Sequence, residues 1–146
     1  MDFIGIKKGV KMRKEKQSEI ISAFLKLLDD VPKEYKVAYD IVNEKDKEVQ
    51  DIMHEVELNQ LKTNEKAKLM TELQNNRRER RYWKDKVDEY QPLNDYLNQS
   101  KEFKNVINQL KQILGKVRKA EKYLEERIYK PRIRKKKSEN EPRQSD

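Results

Sequence analysis

The sequence predicts an all-α protein, an elongated antiparallel helical hairpin or bundle with coiled-coil character and a disordered basic C-terminal tail. Three observations carry that prediction. Only 34% of the 146 residues are hydrophobic while 42% are charged, which leaves too little apolar material for a thick, many-layered core. Three glycines and four prolines supply few turn signals, against a sandwich or barrel that turns every ~8–12 residues. The apolar residues that are present recur in steps of three and four, the period of a helix face.

Residues 1–15 read as a flexible basic leader, within which Met12 offers an alternative start. The helical domain is expected over 16–129 and a disordered charged tail over 130–146. From Ser18, apolar residues at Ile20, Ile21, Phe24, Leu25, Leu27 and Leu28 form a wide stripe that predicts a helix of about 12–15 residues. Pro32 is expected to break it, because the residue before a proline avoids the helical region and proline suits the first position of a new helix. The next stripe is Tyr35, Ala38, Val42, Lys45, Val49, Ile52 and Val56, a heptad pattern that only Lys45 interrupts. Around Leu58 and Leu61 the pattern blurs; one long helix with a stutter and two helices with a tight turn both fit. The good helix formers after Asn64 favour the turn, with Thr63 available as cap.

A third stripe runs through Leu69, Leu73, Asn76, Arg80, Trp83, Val87 and Tyr90 and is expected to stop at Gln91-Pro92. Leu93, Tyr96 and Leu97 then lead into the most amphipathic segment: Phe103, Val106, Ile107, Leu110, Ile113, Leu114, Val117, Ala120, Leu124 and Ile128. Gly115 lies inside it, at a cost of about 1 kcal/mol against alanine, which predicts either a close neighbouring helix or a bend. Tyr129-Lys130-Pro131 is expected to end the helix.

Composition excludes several chemistries. Without cysteine there are no disulfides, thiolate zinc sites or cysteine nucleophiles. No run approaches the roughly 18 apolar residues of a membrane span, and the first thirty residues lack the apolar core of a signal peptide, so a cytoplasmic protein is expected. Asp51 and the sole histidine, His54, have the spacing of one carboxylate–histidine half-site. Dinuclear sites need that motif twice with further carboxylates, and Asp51, His54 and Glu55 fall opposite the Val49/Ile52/Val56 seam. The expectation is a solvated polar face, with no metal, no cofactor and no catalysis.

Charge is the main functional clue. The net charge is +8, yet residues 111–137 hold twelve basic against three acidic residues, while 17–76 hold eight against thirteen. In Arg77-Arg78-Glu79-Arg80-Arg81-Tyr82-Trp83-Lys84, the cations Arg77, Arg81 and Lys84 line one stripe within about 60°. Such a stripe can follow phosphates, and arginine forks donate two bonds to each. The alternative is pairing with the acidic helix before it, which suits Arg80 best because Arg80 lies in the apolar seam. Further on, Lys111, Lys116, Arg118, Lys119, Lys122 and Arg127 decorate the last helix, and Lys130, Arg132, Arg134, Lys135, Lys136 and Lys137 extend it as a basic arm. Aromatic interleaving is thin, so base stacking is weakly supported.

Asp51-x-x-His54-x-x-Glu57-Leu58, Arg77-Arg78-x-Arg80-Arg81-x-x-Lys84-Asp85, Leu114-Gly115-x-x-Arg118-Lys119 and Arg127-x-Tyr129-x-Pro131-Arg132 together resemble small uncharacterised helical proteins encoded by bacteriophages and prophages of Gram-positive bacteria. The resemblance spans about residues 35–134. It implies a cytoplasmic accessory protein of an infected cell, acting on replication, transcription or host defence. The leading expectation is a non-enzymatic nucleic-acid-binding protein that reads phosphates rather than bases. Its rival is an interaction module whose heptad seams capture a host or phage protein, and a homodimer through one seam is also expected as an alternative.

Overall fold

The computed structural model describes residues 9–133, and within them the chain forms three helices: α1 (Gln17–Leu58), α2 (Thr63–Gln99) and α3 (Lys101–Glu126). None is long and apolar enough to cross a membrane. At 42 residues, α1 is about 63 Å long.

Two expected breaks are absent. Pro32 lies inside α1 and Pro92 inside α2, although each removes a backbone donor and crowds the preceding turn, at about 3 kcal/mol. Burial on both sides of each proline offsets that cost: Leu28, Val31 and Ala38 are buried around Pro32, and Val87, Asn94 and Leu97 around Pro92. Glu34 acts on Tyr90 across the two helices, so Pro32 and Pro92, each two residues farther from that contact, lie at one level. Both helices therefore lose a ladder bond at the same height.

The real breaks fall elsewhere. The α1–α2 connection is a short turn, but Thr63 is not its cap: Lys62 precedes the helix and its backbone N–H donates to the Glu65 carboxylate at 2.8 Å. Glu65 thus occupies the place of the acidic partner in a capping box. Ser100 separates α2 from α3, and its Oγ accepts from the Phe103 N–H at 3.1 Å, a regular N-cap bond. The last helix ends at Glu126, three residues before the expected Tyr129. The expected leader's first eight residues and the expected tail from 134 onward lie outside the described residues.

Both long stripes are used inside the chain. Ala38, Val42 and Val87 form the central buried cluster, with Tyr35 and Trp83 packed against it. Contact partners fall along α2 as they rise along α1: Tyr90 beside Glu34, Arg80 with Asp46, Asn76 with Glu48. Between them lies a polar layer. Lys45, the one interruption of the first stripe, reaches Glu79 at 2.8 Å and Glu48 at 3.1 Å, and the Asn76 amide donates to the Lys45 carbonyl and the Glu48 carboxylate.

The third helix lies mainly against the first half of α1 and touches α2 only slightly. Lys16 Nζ meets Glu125 at 2.8 Å, and the Ser18 N–H donates to Glu121 at 3.2 Å. Because Lys16 offers no side-chain cap, Glu121 serves as an acceptor for the α1 N-terminus from another helix. Leu114 is the one buried residue of α3. Nothing approaches within 4 Å of a Cβ built on Gly115, so no neighbouring helix requires that glycine.

Candidate nucleic-acid interface

The two basic clusters meet different fates. In the 77–86 cluster, almost every cation has a carboxylate. Arg80, half-buried in the seam, is bound by Asp46 through Nε and Nη2; Arg77 reaches the same carboxylate at 3.6 Å. Arg81 lies 3.9 Å from Asp85, Lys84 2.8 Å from Asp88 and Lys86 3.4 Å from Glu89. Arg78 alone has no carboxylate within 4.0 Å among the described residues. The predicted stripe of Arg77, Arg81 and Lys84 exists, on the flank of α2, with its charge partly compensated.

The electrostatics of the polar layer follow from those pairs. The Arg80 hydrogen bond, backed by the Arg80 and Arg77 charges, holds the Asp46 carboxyl below its ordinary value. The Glu48 carboxyl is lowered by the hydrogen bond from Lys45 and then that from Asn76, and Lys45 is raised by Glu79 and Glu48. Lys45 with Glu79, and Asp46 with Arg77 and Arg80, hold α1 to α2, while the Lys45–Glu48 pair lies within α1.

Along α3 the outcome is reversed. Arg118, Lys119 and Lys122 on the helix, and Arg127 and Arg132 past its end, are exposed, and none lies within 4.0 Å of a carboxylate among the described residues. The structure adds one cation that the sequence reading left out, Lys104, and sets it in line with Lys111, both exposed. At 100° per residue, Lys104, Lys111, Arg118 and Lys122 fall within about 40° of one another. They form a ridge about 27 Å long, with Lys119 beside it. Their spacing, seven residues repeated and then four, is the signal that a count of charge by segment passes over. Acidic neighbours stand near without pairing: Asp29 feels Lys111, and Glu121 feels Arg118 while its own carboxyl is lowered chiefly by Ser18.

The chain matches no protein-family model, no curated protein and no solved structure.

The remaining candidate sites can be placed briefly. Arg134, Lys135, Lys136 and Lys137 lie outside the described residues. His54 is exposed, with Nδ1 3.9 Å from Glu57, and no group of three metal-ligating side chains occurs among the described residues. The heptad residues Val49 and Ile52 are half-buried, whereas Val56 is 57% exposed. On α3, Val106, Ile113 and Leu124 remain exposed, so the most amphipathic segment of the chain is also the least covered.

Proposed function

We propose that this protein is a non-enzymatic nucleic-acid-binding accessory protein, built as an elongated antiparallel helical hairpin with coiled-coil character. It grips phosphates through the exposed face of α3. One observation carries the reading: Lys104, Lys111, Arg118 and Lys122 share one stripe of α3, and none has a carboxylate partner among the described residues. A ridge of about 27 Å faces roughly eight phosphates of one duplex strand, at 3.4 Å each. With Lys119 and Arg127 beside it, about six phosphates are neutralised, which gives log affinity a slope near −5 against log salt. The resemblance to phage-encoded helical proteins supports a cytoplasmic setting for that activity.

The test is binding of a random duplex and a random single strand by the full chain at two salt concentrations. The double substitution Arg118→Gln and Lys122→Gln is expected to reduce the slope by about two and weaken all sequences alike. Absence of retention at about 50 mM salt, where phosphate contacts are strongest, would sink the reading. Arg77→Gln with Arg81→Gln should change duplex affinity far less, because those cations lie on α2, away from the α3 ridge.

A second reading is favoured by the uncovered apolar flank of α3. Val106, Ile113 and Leu124 recur at steps of seven and eleven residues, and each is more than two-fifths exposed. That flank supports association with a protein partner or a second copy. It predicts association that survives nuclease treatment and is lost on Ile113→Asp.

A further inference from the structure

At the end of the molecule away from α3, the α1–α2 turn opens a cleft of about 590 Å³, a size that seats ligands elsewhere. Ile52, Val56, Leu61, Leu69, Met70 and Leu73 line it. Two of these are left largely in water, Val56 at 57% and Met70 at 65% exposure. The cleft does not end there. Met70 and Leu73 also form one end of a second groove whose other end is Arg77, Arg78 and Arg81, so an apolar floor passes directly into a cluster of three guanidinium groups.

We propose that this composite groove is a docking site for an amphipathic, acidic helix of a protein partner. Charge complementarity fixes the occupant. Phosphates of a nucleic acid would satisfy the arginines and leave the apolar floor in water, whereas an apolar ligand would leave the arginines unused. A helix carrying both features satisfies both ends. From Met70 and Leu73 to Arg77 and Arg81 is seven or eight residues of α2, about 11 Å, so the partner's carboxylates stand about two turns beyond its apolar anchors.

The form of the occupant follows from the surface offered. Helix-in-groove docking needs only apolar anchors at helical spacing and a groove. An extended strand would need a sheet edge, and none occurs among the described residues. A proline-rich segment needs an aromatic-lined groove, and no aromatic residue lines either half of this one. Methionine, with its flexible polarizable chain, suits a surface that moulds to a partner.

The arginines are available for exchange. Arg77 is 3.6 Å from an Asp46 already bound by Arg80, and Arg81 is 3.9 Å from Asp85 with its side chain 71% exposed. Exposed pairs of this kind are worth little, so an incoming carboxylate displaces them easily. The site is independent of the α3 ridge and of the reading built on it.

The experiment uses the full chain and a fluorescent 18-residue peptide. The peptide carries leucines at its third, seventh and tenth positions and glutamates at its fourteenth and seventeenth. Its two controls replace the glutamates by lysine or the leucines by serine. Anisotropy should show the acidic amphipathic peptide binding at least about tenfold more tightly than either control. Val56→Asp with Met70→Asp should weaken it by about tenfold or more while the helical circular dichroism stays unchanged, since both side chains are exposed. Arg77→Gln with Arg81→Gln should weaken it and flatten its salt dependence, which keeps the test decisive if the first variant misfolds.

Three results would overturn the proposal. One is equal binding of the acidic and basic peptides, or no binding at all. Another is displacement of the peptide by random duplex, which would assign the groove to nucleic acid. The third is a dimer in sedimentation that Met70→Asp dissociates, which would mean that a second copy covers the cleft. A failed duplex assay with Arg118→Gln and Lys122→Gln would leave this site standing, because its readout does not involve α3.

Discussion

Asn76 and Lys45 show how polar residues in an apolar seam are handled one at a time. The Asn76 amide nitrogen donates to Lys45 and Glu48, but its Oδ1 is buried without a partner. A buried polar residue of this kind costs stability and fixes register. Asn76→Leu is therefore expected to raise the stability of the fold by about 1 kcal/mol, read from the urea midpoint. Register loses its polar key in the same variant. The carboxyls of the same layer set the acid response. Asp46 and Glu48 titrate below their ordinary values when folded, through Arg80 and through Lys45. A lowered folded-state value means that the contribution is fully present above the unfolded carboxylate range, about pH 4. It is lost as pH falls through the folded values. Urea midpoints should hold between pH 7 and 5 and drop below about pH 4, and Asp46→Asn should flatten that drop.

At the scale of elements, the helices are held by very different means. α1 and α2 share a buried cluster, a polar layer and two prolines at one level, whereas α3 buries one leucine and relies on ion and cap contacts from Glu121 and Glu125. Local helix propensity therefore matters most in α3. Gly115 has open space around it and no positive φ. Gly115→Ala should stabilise α3 by about 1 kcal/mol, seen as slower amide exchange across α3 with little change in α1 beyond Pro32. Neutralising Glu121 should act in the opposite direction, loosening α3 and the first turn of α1 together. The sequence located this helix and its stripe correctly, because periodicity is a local property. How much of the stripe is covered is not a local property, because cover depends on where the other helices end.

At the scale of the molecule, the two candidate surfaces lie at opposite ends. The α3 ridge adjoins the N-terminal half of α1, and the cleft with its arginine groove sits at the α1–α2 turn. α1 alone spans about 63 Å between those regions. A protein arranged in this way can hold a polyanion at one end and a helical partner at the other. Simultaneous binding should then show duplex affinity unchanged by a saturating acidic peptide, since the two surfaces share no residue.

The sequence by itself determined that the chain is helical and where apolar stripes run; around residue 60 it left one helix or two open while favouring a turn, and it gave Arg80 as the cation best suited to an internal pair. Each of those follows from spacing at 3.6 residues per turn or from the cost of a lone charge in a seam. Only the tertiary structure decided the course of the chain through Pro32 and Pro92. A local cost of about 3 kcal/mol at each is set against burial of Val31, Ala38, Val87 and Leu97 by residues distant in sequence. It also decided which cations remain without a carboxylate, because Asp46 reaches Arg77 and Arg80 only once α1 lies against α2. Sequence counts charges, but the distance between opposite charges is a property of packing.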